Sequence, residues 1–186
     1  LAHRPSPPPA AVAFRMAFGI FVFNFYRDIP FIMRLVIQRV SGASVSVGSE
    51  TLSSFSGPGL LILVGVETGD TRADAEWLAA KTAALRIFPT PGSGSDVMNS
   101  SATDIGAQAI AVSQFTLTAS TRKGNRPSYI RAAHGSEAEP LYDLFCSLLA
   151  SHLGSPVGKG RFGADMQIAL TNDGPVTIII DSRLRE

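Results

Sequence analysis

Ser113, Gln114 and Thr116 put two hydroxyls and an amide where the apolar run through Ile110 and Val112 would otherwise continue. A hydroxyl at the end of a core strand can attack an ester, or orient a substrate or water for that attack. A plainer reading has Ser113 and Thr116 capping the strand and bonding to nearby backbone. A nucleophilic hydroxyl needs a base. The histidines are His3, His134 and His152, and none is close to Ser113 or Thr116 in sequence. A Ser-His-Asp triad assembled by folding stays open, with nothing in the spacing to support it. No His, Asp and Glu cluster has metal-ligand spacing, and a single cysteine, Cys146, permits neither a thiolate cage nor an internal disulfide. Metal and cofactor are therefore both expected to be none. A lone Cys in an amphipathic helix reads as core packing and suits a reducing compartment.

The elements that would carry these residues follow from periodicity. Leu35 to Val40 is a short apolar strand, and Ala43, Val45 and Val47 alternate with serines. Gly48-Ser49-Glu50 and Gly57-Pro58-Gly59 read as turns. Leu60 to Val66 is an apolar run of strand length, expected to be covered on both faces. Asp70 or Thr71 can cap a helix over 72–86 whose face is Ala75, Leu78, Thr82 and Leu85. Residues 89–95 form a loop, and the strand bearing the candidate residues is predicted over 109–117. A capping box of Ser136 and Glu139, with Pro140 in the first turn, starts a second helix that Gly154 ends. The glycine-rich stretch 158–163 lacks a phosphate-loop signature. Met166 to Thr171 is a strand, Asn172-Asp173-Gly174 a turn, and Val176 to Ile180 the last strand. The fold class is α+β: a mostly antiparallel, barrel-like sheet covered by two main helices in a single domain.

Composition bounds the partners. With 45% hydrophobic and 17% charged residues the chain is globular, and 186 residues suffice for one buried core. A net charge of +1 supplies no global field for nucleic acid, so RNA contact must come from local clusters. Arg122, Lys123, Arg126 and Arg131, just past the candidate strand, form one such cluster and could contact phosphates. Residues 1–32 differ from the rest: a proline-rich start, then an apolar stretch with Arg4, Arg15 and Arg27 against Asp28. Targeting is one reading of such a leader. The favoured one is an N-terminal extension outside the fold, with the domain over 33–186. The stretch is too interrupted for a membrane span.

Several motifs, in order, carry a resemblance. Met33-Arg34-Leu35-Val36-Ile37-Gln38-Arg39-Val40, Arg86-Ile87-Phe88, Ser113-Gln114-Phe115-Thr116-Leu117, Arg126-Pro127-Ser128, Gly160 to Met166 and Asn172 to Thr177 together resemble the D-aminoacyl-tRNA deacylases. The likeness runs from about Met33 to the C-terminus. It implies a metal-independent, cytoplasmic homodimer that hydrolyses the ester joining a D-amino acid, or mischarged glycine, to tRNA. Catalytic positions would be Ser113, Gln114, Phe115 and Thr116. Gly174 and Pro175, joined by a cis bond, would reach into the other subunit's site, where their carbonyls hold the α-amino group and exclude an L side chain. Phe162 and Met166 would line the terminal-adenosine pocket, with Arg39 supporting it. The family's loop ends in Met-Asn, here Met98-Asn99, but Val97 stands where relatives often carry lysine, which puts a loop contact to substrate in doubt.

A base is dispensable if the substrate is an aminoacyl ester, which is already activated and has a neighbouring ribose hydroxyl. Positioning can supply several kcal/mol, and an oxyanion donor such as a backbone N–H near Phe115 or Thr116 about 3 kcal/mol more. The Thr116 hydroxyl is then a nucleophile or an orienting group, and the second fits better, since threonine without a base is a poor nucleophile. Two rival classes remain: another Ser/Thr esterase using His134 or His152, and a non-catalytic tRNA-binding module relying on the basic loop.

Overall fold

The structure, a computed structural model, describes residues 33–184. The reading of 1–32 as an extension lies outside the described residues.

In chain order the elements are β1 (Arg34–Val47), β2 (Glu50–Gly65), α1 (Arg72–Ala84), β3 (Arg86–Pro89), β4 (Met98–Ser101), α2 (Ala102–Ile105), β5 (Gln108–Ser113), a 3-10 turn (Phe115–Thr118), α3 (Gly135–Leu153), β6 (Gly158–Lys159) and β7 (Gln167–Asp181). Strands β6-β5-β2-β1-β7 form one sheet, and β3 and β4 pair separately. The β1–β2 and β1–β7 pairings are antiparallel, whereas β2–β5 and β5–β6 are parallel. The expected α+β class holds.

β2 lies inside the sheet and is buried on both faces, as its unbroken apolar run requires. Leu60, Ile62 and Val64 join Leu35 and Ile37 of β1, Leu78 of α1, and Phe145 and Leu149 of α3 in the larger core. Leu61 packs on the opposite face with Val40, Val45, Ile110 and Val112. β1 changes face between Val40 and Gly42, where its register with both neighbours shifts. One extra residue in a strand inverts every later side chain, so Leu35 and Ile37 face the helices while Ala43 and Val45 do not.

Three expected boundaries move. Gly57-Pro58-Gly59 is not a turn: β2 runs through it, and the mismatch with β1 is absorbed as a bulge at Gly57, whose φ is 109°. Asn172-Asp173-Gly174 is likewise no chain reversal. β7 continues through it, with Val40 pairing to Asn172 and Gln38 to Thr177, so residues 173–176 loop out of the ladder. The capping box at Ser136 is replaced by an N-cap at His134, whose Nδ1 accepts from the Ser136 N–H at 3.4 Å. Ser136 is already helical, and Pro140 sits inside α3, not in its first turn. The start of α1 and the end of α3 fall close to expectation. At α1, Asp74 accepts from the Thr71 N–H at 2.8 Å and its hydroxyl at 2.7 Å. Gly154 closes α3 with a left-handed φ of 68°.

Candidate active site

β5 ends at Ser113, beside Val64 of β2, and the Gln114 N–H still donates to the Val64 carbonyl at 2.7 Å. Gln114 then leaves strand geometry (φ −141°, ψ 80°), and Phe115–Thr118 winds into the 3-10 turn. The strand predicted over 109–117 is therefore four residues too long. Phe, Thr and Leu favour strands by propensity, but tertiary context overrides it. Gly65 makes room for the turn: a Cβ there would lie 2.9 Å from Leu117 Cβ and 3.2 Å from the Gln114 carbonyl oxygen.

The turn is braced from within and from behind. Inside it, Gln114 Nε2 donates to Thr116 Oγ1, and Thr118 Oγ1 donates to the Phe115 carbonyl at 2.8 Å. Behind it, Arg34 and Arg131 each donate at 3.4 Å, to the carbonyls of Leu117 and Thr118. Arg34 is itself held by both oxygens of Asp181, and Arg131 by Glu67 at 3.2 Å. Two guanidinium groups thus fix the backbone that carries Phe115 and Thr116.

In front of the turn lies a cavity of about 420 Å³, within the ~300–1,000 Å³ usual for small-molecule sites. Ser113, Gln114 and Phe115 line it together with Phe162 and Met166 from the segment before β7. Its apolar floor includes Val64, Val112 and Ala138. Met166 packs against Gly160, where any side chain would displace its sulfur. Tyr142 also lines the cavity and donates to the Ala111 carbonyl at 2.9 Å. Burial holds its phenol far above the usual range, so it stays protonated. Burial likewise pushes the neighbouring Cys146 thiol up to about 12, leaving it inert as expected.

The likeness noted in the sequence is confirmed over most of the chain. A family model described as D-Tyr-tRNA(Tyr) deacylase matches residues 36–181. The chain belongs to this deacylase family. A D-aminoacyl-tRNA deacylase of Akkermansia muciniphila is 56% identical over 154 residues, covering 83% of this chain and all of that protein. One from Porphyromonas gingivalis is 54% identical over the same lengths. Among solved structures, one titled c-Myc DNA unwinding element binding protein superposes with a TM-score of 0.73 at 38% identity, covering 80% of this chain and 97% of that one. Another, titled a probable eukaryotic D-amino acid tRNA deacylase, has a TM-score of 0.71 at 16% identity and supports the fold alone.

Within this deacylase-family chain the candidate residues divide into two groups. Ser113, Gln114, Phe115, Phe162 and Met166 share the cavity, with Thr116 in the turn beside it. Gly174, Pro175 and Arg39 are not among the lining residues. The Gly174–Pro175 bond is cis, and both residues sit exposed in the β7 bulge. A Cβ on Gly174 would collide with the Val176 nitrogen. Arg39, only 9% exposed, tethers this bulge: it donates to the Asp173 carbonyl at 3.0 Å and the Ile87 carbonyl at 2.6 Å, and pairs with the Asp173 carboxylate.

Neither described histidine meets the candidate hydroxyls. His134 caps α3 beside Ser136, and His152 lies about 27 Å further along that helix at 1.5 Å per residue. Among the described residues no group of three His, Cys, Asp or Glu is placed to hold a metal, and no helix is long and apolar enough to cross a membrane. Sequence reading missed Tyr142 and Asp165, which also line the cavity. Tyr142 could have been found, since Ala138, Tyr142, Phe145 and Leu149 keep helical spacing and are all buried. Asp165 carried no signal beyond its place in a matched motif.

Proposed function

We propose that this chain hydrolyses the ester between a D-amino acid and the 3′ end of tRNA, a chirality check on translation carried out in the cytoplasm. The supporting observation is the cavity itself. A rim of Ser113, Gln114 and Phe115 faces a wall of Phe162 and Met166. The wall offers a ring and a thioether to a nucleobase, and the rim offers hydroxyl, amide and backbone groups to an ester. Among the described residues no imidazole lines it.

Catalysis then rests on position. The first N–H groups of a 3-10 turn have no carbonyl within the turn to bond, so those of Phe115 and Thr116 can serve the oxyanion. One such donor contributes about 3 kcal/mol to the transition state. Thr116, accepting from Gln114, orients the substrate or water. The site is completed by a second copy, whose Gly174 and Pro175 carbonyls receive the α-amino group and leave no space for an L side chain. Arg39 acts by holding the bulge that presents them. Glycine, having no side chain, passes the same filter. A groove on edge strand β7, where Trp77, Leu85, Ile178, Leu184 and the 65%-exposed Ile179 sit between the charged Lys81 and Asp181, offers the second copy a surface.

The deciding experiment is a deacylation time course on matched D- and L-aminoacyl-tRNA, with and without chelator. The D-ester should be cleaved, the L-ester spared and the chelator without effect. Equal rates for the two enantiomers would reject the chiral site, and an intact D-ester would leave only a tRNA-binding module.

A further inference from the structure

Phe115 reaches beyond the cavity it rims. The residue is 56% exposed, and its ring meets Tyr129 edge-on, with centroids 5.1 Å apart and planes at 70°. Tyr129 and the 87%-exposed Ile130 follow a loop whose base is closed by Ser120 and Ser128, which exchange N–H···O bonds of 2.8 and 2.9 Å. Residues 121–130 are exposed throughout. They carry Arg122, Lys123 and Arg126, and the whole stretch 105–136 contains no Asp or Glu. The buried acid nearby, Glu67, is paired with Arg131. An aromatic step that leads out of a nucleoside-sized cavity into an acid-free basic loop has the chemistry of a single-strand binder: rings for bases, cations for the backbone.

We infer that Phe115, Tyr129 and the 120–129 loop form a platform for the unpaired nucleotides immediately 5′ of the tRNA's terminal adenosine. The inference rests on the proposed function in placing that adenosine in the cavity. Charge favours RNA over a second copy of the chain here, because an apolar protein contact gains nothing from burying three cations.

The test uses the full chain and a labelled single-stranded RNA ending in ACCA, read by fluorescence anisotropy across a salt series. Tyr129→Ala should weaken binding about tenfold, the scale of one lost base stack, while Tyr129→Phe keeps it. Lys123→Ala with Arg126→Ala should lower the salt slope by about 1.4, at about 0.7 per single-strand phosphate. The same Tyr129 dependence should persist for an RNA lacking the terminal adenosine. Binding indifferent to Tyr129→Ala overturns the platform, as does a dimer that falls apart when Tyr129 and Ile130 are both changed to Ser. Either failure leaves cleavage of the D-ester standing, whereas failure of the deacylase reading leaves RNA binding standing, so the two are separable. The loop-charge variant and Tyr129→Phe alter exposed positions only, which keeps the test clear of misfolding.

Discussion

Beyond Gly65 the chain of β2 borders two corners that use polar groups in opposite ways. On one side is the cavity, lined by hydroxyl, amide and aromatic groups. On the other, at the start of α1, Asp70, Asp74 and Arg183 cluster, and Glu67 pairs with Arg131. The strongly shifted carboxylates belong to the second corner. Burial, with Asp74 close by, raises Asp70 to about 6 against the opposing Glu67 N–H. Asp74 is buried too, but hydrogen bonds from Arg183, Thr71 and Ser182 outweigh that and hold it at about 2. Shifted acids often flag a catalytic site. Here they tie the C-terminal segment to α1, while the cavity relies on fixed backbone. Arg131 joins the corners, bonded to Glu67 behind and to the Thr118 carbonyl in front.

The largest effect should come from cutting that join. Glu67→Ala leaves Arg131 without its buried partner and should cost about 3 kcal/mol in stability, seen in urea melts. Activity should fall with it as the 3-10 turn loosens. A stable, fully active variant would show the two corners to be independent. Gly65→Ala attacks the cavity side alone. The added methyl presses on Leu117 and Gln114, and displacing the turn by an ångström should reduce kcat/KM on D-aminoacyl-tRNA about 100-fold. Unchanged kinetics would mean that the turn's position is not what catalyses.

Asp70 sharpens the contrast by pH. Its folded value lies above the ordinary 3.8, so the unfolded chain loses this proton first, and stability should fall as pH rises from about 4 to 6. Asp74 works in the opposite sense, contributing stability above about pH 4 that is lost as pH drops toward 2. Asp70→Asn should flatten the 4–6 window and leave the protein more stable than the parent at pH 7. Thermal melts at several pH values check this. A variant less stable than the parent at pH 7 would refute the buried-charge account.

Much of the scaffold was legible because it depends on local rules. The run Leu60 to Val66, the Thr71 cap and Gly154 each announce themselves by periodicity or backbone preference. Gly57-Pro58-Gly59 and Asn172-Asp173-Gly174 were misread because turn residues also suit bulges. Only the neighbouring strand, β1, decides which they become. The 3-10 turn escaped notice because its cause, the missing Cβ of Gly65, lies 50 residues upstream of Phe115. Ser113, Gln114 and Thr116 stood out as polar groups ending a core strand. Phe162 and Met166 were visible only through likeness to a family, since aromatic and thioether side chains signal core as readily as a pocket. The role of Arg39 in tethering the β7 bulge required Asp173 and Ile87 to be brought beside it.

The smallest expected effect is the most discriminating about chemistry. His134 is exposed, its Nδ1 caps α3, and Gly135 next to it lines the cavity. It is the histidine best placed to serve as a base if one is used. As a cap it is worth about 1 kcal/mol. His134→Ala should therefore lower the melting temperature by a few degrees, leave kcat/KM on D-aminoacyl-tRNA within about twofold, and leave the shape of the pH–rate profile unchanged. His134→Asn, which can cap in its place, should recover the lost stability. A 100-fold loss of activity that Asn does not restore would instead make His134 a general base. The cavity would then become an esterase built on an ionisable side chain, and the contrast between the two corners would collapse.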